Sequence, residues 1–206
     1  MDYTTISRVK QELHIKNAIS DDDALLALLV TAASRAWDRF CTGVPDAVDY
    51  FKTEDVVGEV LTGQIDYLGG QIICYPHKPI INSVASFSWQ NRIIDTAYTV
   101  SGSRIECYGP RVTAYPDAAA SDFPRSCRIT ISYNGGLGAT VSDLPADMQE
   151  AVAILTARFY REAETGLNDQ IGVAELSTMV YTRAMPVRVS NILEFYKRRV
   201  GWRHVA

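Results

Sequence analysis

Cys74-Tyr75-Pro76-His77 places a thiol and an imidazole three residues apart, a spacing that could supply two zinc ligands or a nucleophile with its base. The sequence completes neither arrangement. No second ligand pair stands nearby, and Cys41, Cys107 and Cys127 are scattered, as reduced and mostly buried thiols would be. Gly135-Gly136-Leu137-Gly138 leads toward a helix, where free amides and the helix dipole could hold a phosphate. A phosphate loop of the Walker type needs a lysine followed by Ser or Thr at the helix start, whereas this segment runs into Asp143, whose charge opposes an anion. A flexible turn is the expectation.

Two acidic groups complete the inventory. Asp21-Asp22-Asp23 lacks the alternating oxygens, the glycine and the closing glutamate of a calcium loop, and it suits the positive end of a helix dipole instead. Glu162 and Glu164 are two residues apart, so on a helix they point in different directions and cannot work as a carboxylate pair. We therefore expect no catalytic residue, no metal site and no cofactor: the protein is not expected to be an enzyme.

What remains is charge and surface. The net charge of -4 hides an asymmetry, because Arg183, Arg188, Lys197, Arg198, Arg199 and Arg203 face only Glu194 in the last stretch of chain. With Trp202 they make a basic, aromatic tail suited to docking on an acidic protein surface, since Trp and Arg are enriched among residues that dominate interfaces. A solvated tail is one alternative and a nucleic-acid contact another, the latter disfavoured by the acidic balance of the rest of the chain.

The elements that must position these residues follow from periodicity. The 206 residues suffice for a real core, and 47% hydrophobic with 21% charged residues marks a folded chain. Met1-Asp2-Tyr3-Thr4-Thr5 carries neither the basic nor the apolar region of an export signal, and no apolar run approaches a membrane span, so a cytosolic product is expected. Thr4 or Thr5 can cap a first helix carrying Ile6, Val9 and Leu13. A second, from about Asp22 to Phe40, has two apolar stripes: Leu25, Leu28, Leu29, Ala32 and Ala36 on one, Leu26, Val30, Ala33 and Trp37 on the other. Apolar around so much of its circumference, it needs cover from its own fold and from a neighbouring subunit, the latter expected at Leu26, Val30 and Trp37.

Between Val48 and Tyr133 the pattern becomes short β-branched and aromatic runs: Val56 to Leu61, Gln71 to Cys74, Ser83 to Gln90, Ala97 to Ser101, Arg104 to Tyr108 and Arg128 to Tyr133. Helical spacing returns with Met148, Ala151, Val152, Leu155 and Phe159 behind Pro145, and again with Val189, Ile192, Leu193, Tyr196 and Val200 behind Pro186. Leu167 to Met185 reads as a projecting loop or hairpin. The fold class is α+β: a bundle of about four helices with a β-rich insert, an antiparallel sheet or small barrel, between the second and third. Residues 1–44 and 136–206 form the helical body and 45–135 the insert.

Taken in order, Ile6-Ser7-Arg8-Val9-Lys10-Gln11-Glu12-Leu13, the Asp21-Asp22-Asp23-Ala24-Leu25-Leu26 helix start, Tyr133-Asn134-Gly135-Gly136, Leu144-Pro145, Met185-Pro186 and Tyr196-Lys197-Arg198-Arg199 resemble the head-tail connector, or adaptor, proteins of tailed bacteriophages. Pro79-Ile80-Ile81-Asn82-Ser83-Val84 resembles the lead into a sheet strand in longer members, and the stretch from Asp46 to Gly70 is longer than theirs. The resemblance implies a structural virion protein at the head-tail interface, assembled in the host cytoplasm. It implies a homo-oligomeric ring of twelve copies on the portal protein that extends the DNA channel and receives a tail-completion or stopper protein. Genomic DNA would pass through without sequence-specific binding, and no membrane is involved. By the same resemblance Arg188, Lys197, Arg198, Arg199, Trp202 and Arg203 would dock on the portal, and Asn168, Asp169 and Glu175 would face the channel or a neighbouring copy. The rival reading is a DNA-packaging factor that binds nucleic acid through the basic tail.

Overall fold

In a computed structural model of the chain, the described residues are 1–66, 71–89, 92–93, 98–108, 126–165 and 185–197. The chain divides into two compact units, one of Met1–Asp49 with Thr140–Arg198 and one built on Tyr50–Ala139.

The first unit is helical. Helix α1 (Ile6–Leu13) starts where the Thr5 hydroxyl accepts the Arg8 amide at 3.3 Å, one of the alternatives the sequence allows. Helix α2 spans Asp23–Thr42, α3 Ala146–Thr165 and α4 Val187–Tyr196. Pro145 and Pro186 each sit one residue ahead of the helix, where their carbonyls accept the Gln149 and Ser190 amides at 3.1 and 2.9 Å. Their fixed φ launches the helix without occupying its first position. Helix α3 packs against α1, α2 and α4, and it buries Met148, Ala151, Val152, Ala153, Leu155 and Tyr160 accordingly. Val9, Leu26, Val30, Ala153 and Tyr160 form one cluster of this core.

Polar ties fix the helices relative to each other. Lys10 of α1 is buried, with its Nζ on the Ile19 carbonyl and the Asp23 carboxylate, both at 2.5 Å. Arg8 reaches the Gln149 side chain and the Ala146 carbonyl, each at 3.1 Å, so α1 also holds the start of α3. Tyr3 donates to Asp38 at 2.6 Å, deep against α2.

The second unit is a seven-stranded sheet in which every neighbouring pair is antiparallel. The strands are β1 (Glu54–Asp66), β2 (Gln71–Cys74), β3 (Ile81–Trp89), β4 (Arg92–Ile93), β5 (Tyr98–Ser101), β6 (Arg104–Tyr108) and β7 (Ser126–Gly135), ordered β4-β3-β7-β1-β2-β6-β5. The last strand of the insert therefore lies inside its sheet, between β3 and β1. The sheet curls toward a barrel: Ile81 of β3 donates its amide to the Gly102 carbonyl in the β5–β6 turn at 3.1 Å, and the Tyr98 hydroxyl of β5 reaches the Val84 carbonyl of β3 at 3.3 Å. Ile72, Cys74, Phe87, Ile105, Cys107, Ile129, Ile131 and Tyr133 fill its inside. A bulge between Val56 and Glu59 puts Gly58 at φ +69°, a conformation that a glycine adopts without strain.

The fold class read from the sequence stands: the described residues form four α-helices, with an antiparallel sheet between the second and third. No helix among the described residues is long and apolar enough to cross a membrane.

Candidate functional site

The residues with chemical potential are consumed by structure. Cys74 is fully buried on β2, and burial pushes its thiol up to about 12, far from a reactive thiolate at neutral pH. His77 gives its amide to Glu59 at 3.1 Å and sets its ring edge-on to Tyr50. Cys41, Cys107 and Cys127 are free thiols, and among the described residues no group of three or more His, Cys, Asp or Glu side chains is placed to hold a metal ion.

The glycine segment is equally committed. The amides of Gly136, Leu137 and Gly138, which a phosphate would need, donate instead to the Ile80 carbonyl at 2.9 Å and the Phe51 carbonyl at 2.8 and 3.4 Å. The Gly138 carbonyl in turn accepts the Thr53 amide at 2.8 Å. Gly136 at φ +131° lies so close to the Lys52 backbone that a Cβ there would collide with it. The turn is a rigid clasp between the two ends of the insert rather than a flexible connection.

Beside it, Lys78 is almost fully buried, with its Nζ on Glu54 Oε1 at 2.7 Å and the Lys52 carbonyl at 3.1 Å. Of the acidic candidates, Asp22 and Glu164 each lie 2.8 Å from the Tyr160 hydroxyl, Asp23 holds Lys10, and Glu162 pairs with Arg158 at 2.7 Å. Hydrogen bonds to Glu164 and Asp22, with burial, push the Tyr160 phenol up.

The surfaces are what the helical unit leaves available. The stripe expected to face a neighbouring subunit, Leu26, Val30 and Trp37, is buried inside the unit, which corrects that assignment: a side chain with 0–2% exposure has no surface to offer a partner. Leu28, on the opposite side of α2, is 71% exposed, with Leu25 beside it and Arg35 and Arg39 further along the same line. The signal was present in the sequence. The Leu28 line continues through Ala32 into two arginines one turn apart, and a core stripe does not end that way.

Helix α4 is held by Val189 and Leu193, both buried, and by Tyr196, whose ring lies 6.1 Å from that of Trp37 and whose hydroxyl donates to Asp147 at 2.8 Å. Its other side exposes Val187 and Phe195. Of the six residues assigned to portal docking, Arg188 pairs with Glu150 and Lys197 with Glu194 at 2.5 Å. Arg198, Arg199, Trp202 and Arg203 lie outside the described residues, as do Asn168, Asp169 and Glu175.

No protein-family model matches the chain, and no curated protein matches it in sequence. Solved structures do. The chain is similar to one in the virion of a native gene transfer agent particle, at 18% identity over 95% of this chain and 89% of that one, with a TM-score of 0.52. It also aligns with chains from the neck of an empty gene transfer agent particle computed with C6 symmetry, at 16% identity, 95% and 89% coverage and a TM-score of 0.48. A third match is in the neck of a native particle computed with C12 symmetry, at 17% identity, 96% and 93% coverage and a TM-score of 0.45. At this identity the virion chain shares the fold with the present protein.

Proposed function

We propose that this chain is a structural, non-enzymatic virion protein that acts as a head-tail connector: a homo-oligomeric ring on the portal that lengthens the DNA channel and receives a tail-completion protein. The observation that supports it most is the fold shared with a gene transfer agent virion chain along nearly the whole of both chains. The order of sequence motifs resembling phage adaptors points the same way. Its mechanism is mechanical and electrostatic: copies close into a ring through repeated contacts, and the overall acidity keeps DNA phosphates from being trapped in the lumen.

In this reading the basic end of the chain, from Arg188 through Lys197, Arg198, Arg199, Trp202 and Arg203, docks on the portal, and the segment bearing Asn168, Asp169 and Glu175 faces the channel or a neighbour. Truncation before Pro186 is a poor test, because it also strips Val189 and Leu193 from the core and Tyr196 from Trp37. The cleaner test is the triple substitution R198E/R199E/R203E. Mixed with portal rings of its own particle and viewed by negative-stain electron microscopy, the wild-type chain should add a ring of density that the variant does not. A wild-type chain that leaves portal rings bare removes the connector reading.

A further inference from the structure

We propose that the unassembled chain pairs with a second copy of itself through the outward face of α2, the two helices running antiparallel about a two-fold axis. The face lies opposite the buried stripe and carries Ala24, Leu25, Leu28, Ala32, Arg35 and Arg39 in helical order, with Asp21 in the turn two residues before the helix starts, all of them exposed. It has an acidic end, an apolar middle in which Ala24 and Ala32 flank Leu25 and Leu28, and a basic end. Placed antiparallel on its own copy with the axis beside residue 30, the face is complementary at each level. Asp21 opposes Arg39 at both ends. Leu28 of each copy opposes Ala32 of the other, a large side chain over a small one. Leu25 opposes Arg35, whose aliphatic stem can cover it.

Three physical arguments favour this occupant. An exposed helix face with Leu28 at 71% exposure leaves apolar surface in water unless something covers it. Alanines let two helices approach closely enough for the leucines to interdigitate. Antiparallel helices set the positive end of each dipole beside the negative end of the other, so the dipoles add to the Asp21–Arg39 attraction. One short helix face per copy is smaller than a standard interface, which calls for weak, micromolar pairing.

This goes beyond the ring reading and does not depend on it. A two-fold contact closes at two copies, whereas a ring is built from a head-to-tail contact, so the ring uses other faces and α2 pairing belongs to the free chain.

The test is sedimentation velocity on the full chain across the micromolar range. Wild type should pass from monomer to dimer, and R39E and D21R should each weaken pairing by roughly tenfold, as expected when a close charge pair becomes a repulsive one. The double variant D21R/R39E should recover it, because each copy then presents the swapped charges to the other. Leu28→Ala, which changes no charge, should weaken pairing as well, and circular dichroism confirms that every variant is folded. A wild-type chain that stays monomeric overturns the proposal. So does a dimer indifferent to the reversals, or one that the double swap fails to restore. Growth into larger multimers insensitive to all four variants overturns it while leaving the ring intact.

Discussion

Tyr133 of β7 donates its phenol hydrogen to Glu59 Oε2 on β1, 2.6 Å away across the strand pair, and its oxygen accepts the Lys78 amide at 3.3 Å. Glu59 also takes the His77 amide, so one phenol joins two strands and the turn that precedes β3. Tyr133→Phe keeps the ring and removes both bonds. We expect a loss of about 2 kcal/mol, the worth of two hydrogen bonds of which one is to a carboxylate, read as a lower urea midpoint at unchanged slope.

Gly136→Ala should damage the clasp. The residue sits at φ +131° with the Lys52 backbone where a Cβ would go, so the chain must move apart and weaken the bonds to Phe51. A cost of at least about 2 kcal/mol is expected from the strained backbone, with a matching fall in Tm.

Trp37→Ala and Leu28→Ala on the same helix should differ sharply. Trp37 is buried against Tyr196, so its truncation should cost about 3–5 kcal/mol. Leu28 is mostly exposed, and its truncation should stay within about 0.5 kcal/mol at concentrations where the chain is monomeric. Equal costs in chemical denaturation would contradict the placement of the two stripes.

Alkaline pH should unfold the protein early. Burial raises Cys74 and Cys107 from 9.0 to about 12, so each thiol is kept protonated in the fold but ionises freely once unfolded. The stability this carries is complete below pH 9 and drains away as the pH climbs toward about 12, at about 1.4 kcal/mol per pH unit for each group. Replacing Cys107 with Ala should flatten that decline in denaturation curves measured from pH 8 upward, while lowering stability at pH 8 through the lost packing.

The helices and strands were legible because their signals are local. Gln71–Cys74 and Arg104–Tyr108 are observed with the bounds that their β-branched and turn residues suggest, and Thr5 caps the first helix as a hydroxyl at that position should. The sheet order was not, since placing β7 between β3 and β1 depends on pairings such as Tyr133 with Val56 and Val84, far apart in sequence. The inward stripe of α2 was legible only in part: Arg35 and Arg39 end the outer line, but the inner one is covered by Ala153 and Tyr160 of α3 and by Tyr196 of α4, which no window on α2 contains.

The clasp also shortens the connection that the helical unit must close. The helical unit is discontinuous, with α1 and α2 made long before α3, the helix against which both pack. Joined by an unstructured loop of roughly ninety residues, the halves would meet at a closure cost of about 4 kcal/mol on length alone. Once the insert folds, the carbonyl of Phe51 holds the amide of Leu137, and the loop is reduced to the few residues on either side of that bond. Folding of the insert therefore lowers the entropy that α1 and α2 lose on meeting α3, and variants that weaken the clasp should destabilise the helical unit as well as the sheet.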